Sequence, residues 1–141
     1  MATGTAADGV ERTPSLTTPT MQAFFLLGFV VWLVATLAFR VAGQFLLNPN
    51  APLVIGALYV VTVPAMIGLA LVFYRWRRVS GAARLPAAIA LVLPGMVLDT
   101  VVMAQFEAVI PNMVSASAPY FGGMLLLAYA SVLLSAFVRR A

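Results

Sequence analysis

The chain has 141 residues, 63% of them hydrophobic and only 9% charged, with a mean hydropathy of +1.05 and a formal charge of +4. A soluble domain of this size carries about a quarter charged residues and has no interior large enough for so much apolar surface, so lipid is the expected solvent for most of it. All 8 basic residues are arginine, and lysine, histidine and cysteine are absent. These absences exclude conventional zinc, copper and iron–sulfur sites and His or Cys ligation of haem. Schiff-base chemistry needs a lysine, and Ser–His or Cys–His nucleophilic pairs need a histidine. No disulfide can form, and no cofactor is expected. The arginines flank apolar segments instead of forming a stripe, which argues against a nucleic-acid partner.

Residues 1–20, MATGTAADGVERTPSLTTPT, have no apolar period and predict a disordered, solvated tail. The stretch lacks the positive start of a secretory signal. The first apolar segment runs from Met21 to Phe39 and past Arg40 to about Leu47. On it Thr36, Arg40 and Gln44 recur every four residues and share one helical stripe. The second runs from about Leu53 to Tyr74 and contains Pro64.

The following connection, YRWRRVSGAARLP, carries Arg75, Arg77, Arg78 and Arg84. Its cluster Arg75, Arg77 and Arg78 has two readings: a topology signal, or a hold on anionic lipid headgroups worth about 1 kcal/mol per charge. The third segment extends from about Leu85 to Ile110 and includes LVLPGMVLDT. Pro94 removes a backbone donor and collides with the carbonyl of Ala90, and Gly95 adds looseness, so a helix break is expected there. Asp99, Met103 and Glu107 form a second stripe of period four. The fourth segment runs from Tyr120 to Val138, with Gly122–Gly123, Ser131 and Ser135 suited to close helix packing.

Each segment meets or approaches the roughly 20 residues needed to cross about 30 Å of hydrocarbon, and none alternates as a barrel strand would. The expected fold is all-α: an integral membrane bundle of four transmembrane helices, at about 21–47, 53–74, 85–110 and 120–138. The connections NPNAP and PNMVSASAP carry no basic residue, whereas Arg139 and Arg140 follow the last helix. The positive-inside rule therefore predicts both termini and the arginine-bearing connection in the cytoplasm. GQFLLNPNAP (43–52) echoes AQFEAVIPNMVSASAP (104–119), which reads either as a duplicated helical hairpin or as coincidence in an Ala- and Phe-rich chain.

Asp99 and Arg40 both fall deep in the expected bilayer. A lone Asp or Arg at mid-membrane costs about 2.5–3.5 kcal/mol and is resolved by a partner, a water cavity or neutralisation. The expected resolution is a buried polar site in which Asp99 is faced by Arg40, and with it Glu107, supported by Gln44 and Thr36. Such a site reads as a structural pair, as a ligand or proton site, or as a charge meeting another subunit.

The combination GFVVWLVATLAFRVAGQFLL, LVLPGMVLDT and IPN resembles a family of small bacterial four-helix membrane proteins classed as a domain of unknown function. The resemblance marks Trp32, Thr36, Arg40, Gly43 and Gln44 on the first helix. On the third it marks Leu93, Pro94, Gly95, Met96, Asp99 and Thr100, followed by Pro111 and Asn112. It implies the bacterial inner membrane and brings no activity. The expected function is that of a non-catalytic polytopic membrane protein, an accessory or scaffold subunit. The alternative is a small proton- or ion-coupled carrier using Asp99, Glu107 and Arg40. The expected partners are the lipid bilayer and either another membrane protein or further copies of the chain.

Overall fold

The computed structural model describes residues 17–138, which form helices and turns and no strand. The chain order is α1 (Thr18–Leu46), α2 (Pro52–Trp76), α3 (Arg84–Ala104), the single turn α4 (Phe106–Val109) and α5 (Ala118–Ser135). Short 3₁₀ turns, Gly81–Ala83 and Ser115–Ser117, lead into α3 and α5. α1, α2, α3 with its leading turn, and α5 with its leading turn are each long and apolar enough to cross a membrane.

α1 begins before Met21, inside the stretch expected to be tail. Thr17 is extended, its Oγ1 accepts the Thr20 N–H at 3.4 Å, and Pro19 stands in the first turn. A threonine cap followed by proline in the first turn is a helix start, so the TTPT segment belongs to the helix. Residues 1–16 of the expected tail lie outside the described residues.

α2 contains Pro64 and runs on to Trp76. Its end is a Schellman turn: the Val79 N–H reaches the Tyr74 carbonyl (2.8 Å), the Arg78 N–H reaches that of Arg75 (3.2 Å), and Arg78 has φ 55°. Glycine usually occupies that left-handed position.

The expected break at Pro94 and Gly95 is not observed; α3 continues through both. Proline's fixed φ is helical, and only one hydrogen bond is missing, to Ala90. Helix on both flanks and the burial of both residues carry the backbone across. The interruption falls instead at Gln105 (φ −116°, ψ 36°), so the third apolar segment is a long helix followed by a single turn.

α1 packs along α3, α3 along α5, and α5 along α2, while consecutive α1 and α2 are in sparse contact. The two hairpins are therefore packed differently, since α3 and α5 adjoin and α1 and α2 do not. Half of the α3 span is buried against 11% for α1 and for α2, which makes α3 the central helix. Two apolar clusters fill the bundle. One, at the arginine-bearing end, joins Phe24, Tyr74, Ala87, Leu91 and Val132; the other joins Leu47, Val102, Phe106, Phe121 and Met124. α1 and α3 run in the same direction, since each gives its early residues to the first cluster and its late ones to the second. Gly28 lets them meet: a Cβ there would overlap the Leu91 carbonyl oxygen and come within 2.8 Å of its carbon.

Candidate functional site

Asp99 sits on the buried face of α3, 6% exposed, between the two apolar clusters. Asp99 is 15 residues past Arg84 and Trp32 is 14 past Thr18, so both lie about 21–23 Å along their helices. At that shared level the Trp32 indole Nε1–H donates to Asp99 Oδ1 at 2.8 Å. From the opposite side the Tyr129 hydroxyl of α5 donates to Oδ2. Each carboxylate oxygen is thus held by a different helix, and an acceptor-only group meets two donors. A buried polar group left without a partner costs about 1–3 kcal/mol, and here both oxygens of the acid have one.

Gly95 explains part of the LVLPGMVLDT motif. It stands one turn before Asp99 on the same face, and a Cβ there would lie 2.7 Å from the Tyr129 hydroxyl oxygen. The missing side chain is the space in which the phenol reaches the carboxylate. Gly28, one turn before Trp32, likewise brings the α1 backbone close enough to α3 for the indole to span the gap.

The expected partners of Asp99 are elsewhere. Arg40 is exposed and stands two turns, about 12 Å, beyond Trp32 on α1. Glu107 is exposed, lies past the interruption at Gln105, and accepts from the Ser115 hydroxyl of its own following loop. Neither is brought to the carboxylate, because the level that Arg40 would have had to occupy on α1 is filled by Trp32. Thr36 is half-buried. Gln44 belongs to a second polar node near the far end of α1. There Asn112 donates its Nδ2 to the Phe39 carbonyl (2.9 Å) and to Gln44 Oε1, while the Gln44 amide donates to the Val41 carbonyl. Ser117 donates to the Leu47 carbonyl at 2.7 Å in the same region.

Of the residues suited to close packing, Ser135 is buried with its hydroxyl 2.9 Å from that of Tyr74, and Ser131 is buried on α5. Gly122 faces Met103 of α3 and Gly123 faces the Tyr59 hydroxyl of α2. A groove of about 370 Å³ between α3 and α5, lined by Met96, Asp99, Met103, Leu126 and Tyr129, opens beside the carboxylate.

Tyr129 was not singled out by the sequence, and Trp32 carried no assigned role. Both had a signal. A phenol in the middle of LLLAYASVLL needs a partner for its hydroxyl, and Trp32 precedes Thr36 by four residues on the polar stripe.

Residues 45–141 match the model of a Family of unknown function (DUF5367). The chain belongs to this family. The DUF5367 match takes in Asp99, Tyr129, Gly95 and Asn112 and begins after Trp32, Thr36, Arg40 and Gln44, so the α1 side of both polar nodes precedes it. No curated protein and no solved structure matches the chain.

Proposed function

We propose that the protein spans a membrane four times, with both termini and the arginine-bearing connection in the cytoplasm, and serves as a non-catalytic accessory or scaffold subunit. The observation that carries this reading is the Asp99 node, in which α1 and α5 each hold one oxygen of an acid on α3. Such a node fixes which helix packs on which. The outer faces support insertion: Leu26, Val34, Val41 and Leu126 are 64%, 61%, 74% and 70% exposed, an arrangement suited to lipid or to a partner's helices. The arginine asymmetry and the family resemblance favour the bacterial inner membrane.

The chain has no cysteine, so single replacements report topology cleanly. Asn50→Cys and Ala116→Cys are expected to react with an impermeant maleimide in intact cells, and Ser80→Cys only after the membrane is opened. The reverse pattern would overturn the orientation, and reaction at all three in intact cells would overturn the spans. Native mass spectrometry of gently extracted protein should find a stoichiometric membrane partner; a lone monomer or homo-oligomer contradicts the accessory role.

The groove beside Asp99 favours one second reading, a small carrier that uses this acid. On that reading Asp99→Asn abolishes gradient-driven proton flux in proteoliposomes that the unaltered protein supports. Absence of any flux through the unaltered protein ends it.

A further inference from the structure

The Schellman turn that closes α2 places an arginine where glycine is usual, and the consequence is a basic pocket. Arg75, Arg78 and Arg84 line one cavity of about 400 Å³ together with Tyr74 and Ser80. Arg84 is fixed in place: its Nη1 donates to the Val138 carbonyl at 2.9 Å, and its guanidinium lies 5.3 Å from the centre of the Tyr74 ring. Its Nε is shielded and has no hydrogen-bond partner among the described residues. Arg77, between the other arginines in sequence, lies over the Trp76 ring at 5.5 Å instead and does not line the cavity. Among the described residues the acids are Asp99, 15 residues or about 22 Å beyond Arg84 along α3, and Glu107, past the far end of that helix. Three arginines therefore line one concavity with no nearby carboxylate among those residues. Arg78 adopts φ 55° among them, a left-handed conformation that is unfavourable for a non-glycine residue.

We propose that Arg75, Arg78, Arg84 and Ser80 form a binding site for the phosphate of an anionic phospholipid headgroup. Guanidinium groups match phosphate oxygens in geometry as well as charge. The site opens at the ends of two membrane-length helices, beside Trp76, 63% exposed at the level where indoles sit in bilayers. The cluster expected to hold headgroups is thereby altered: Arg84 replaces Arg77, and Ser80 adds a hydroxyl donor.

The test is native mass spectrometry of the full-length protein in detergent, titrated separately with phosphatidylglycerol, phosphatidylcholine and inorganic phosphate. Phosphatidylglycerol is expected to be retained over phosphatidylcholine. Arg78→Gly and Arg84→Gln should each weaken that retention about tenfold, the effect of losing one charge-assisted hydrogen bond, while Arg77→Gln leaves it unchanged. Arg78→Gly is the informative variant, because glycine relieves the left-handed turn and the protein should unfold no earlier than the parent. Equal retention of the two lipids, or equal losses for Arg77→Gln and Arg78→Gly, would overturn the site as a diffuse basic surface. Displacement of phosphatidylglycerol by millimolar inorganic phosphate would overturn it in favour of a soluble anion. Binding that emerges only after Asp8→Asn and Glu11→Gln would assign the pocket to the chain's own N-terminal acids.

Discussion

Tyr129→Phe is expected to lower the unfolding free energy of the micelle-solubilised protein by about 2–4 kcal/mol. Only an oxygen is lost from the phenol, so packing is nearly unchanged, but one oxygen of a buried acid loses its donor. A buried polar oxygen left without its donor costs more than the bond itself contributed. Trp32→Phe should act in the same direction by removing the donor to the other oxygen. Gly95→Ala should also destabilise without touching either donor, since its new methyl would meet the Tyr129 hydroxyl at 2.7 Å and push it off the carboxylate. Replacing the whole node by apolar groups, Asp99→Leu with Trp32→Phe and Tyr129→Phe, should recover most of the loss, because no polar atom is then left unmatched. Reversible unfolding followed by circular dichroism checks the series. A Tyr129→Phe protein as stable as the parent would mean that the hydroxyl does not hold Asp99.

Asp99 was legible as the focus of the chain because a carboxylate in a run such as LVLPGMVLDT demands compensation in any apolar solvent. Its partners were not legible, for reasons of level and chemistry. Trp32 and Arg40 lie on one stripe of α1, and a stripe fixes a face without fixing the level at which α3 meets it. Charge favoured Arg40; the close approach at Gly28 places Trp32 opposite instead. Tyr129 sits among leucines and alanines and has the composition of filler until α5 is known to flank α3. The four apolar runs were plain from length and composition, and α2 begins within one residue of its expected start. Pro94 misled because a proline's local penalty says nothing about the helical flanks that carry the backbone across it. The end of α3 was hidden for the converse reason: Gln105 to Ile110 remains apolar enough to continue a span, yet Gln105 leaves helical geometry.

Gly28→Ala is expected to have the larger effect on assembly, about 3 kcal/mol or more, at the upper end of overpacking costs. The obstruction is the Leu91 backbone, not a flexible side chain, so α1 must move away from α3 as a body. That displacement withdraws Trp32 from Asp99 and couples a packing error to the loss of the node. Gly56 and Gly68 of α2 provide the comparison, since a Cβ at either meets nothing within 4 Å. Alanine at those two positions should be neutral or stabilising by about 0.5–1 kcal/mol through helix propensity. The three variants are compared by unfolding midpoint and by survival through gentle extraction. Equal behaviour of Gly28→Ala and Gly56→Ala would remove the close crossing of α1 and α3 from the account.

The most direct test of the central claim is a double-mutant cycle pairing Asp99→Asn with Tyr129→Phe, and separately Asp99→Asn with Arg40→Gln, read by reversible unfolding in the same micelles. Groups in one hydrogen-bonded node couple by about 0.5–3 kcal/mol, and independent sites add to within about 0.5 kcal/mol. Strong coupling of Asp99 to Tyr129, with additivity for Arg40, is the expected result. Coupling to Arg40 with additivity for Tyr129 would contradict the node and restore an arginine–aspartate pair as what holds the acid in the bundle.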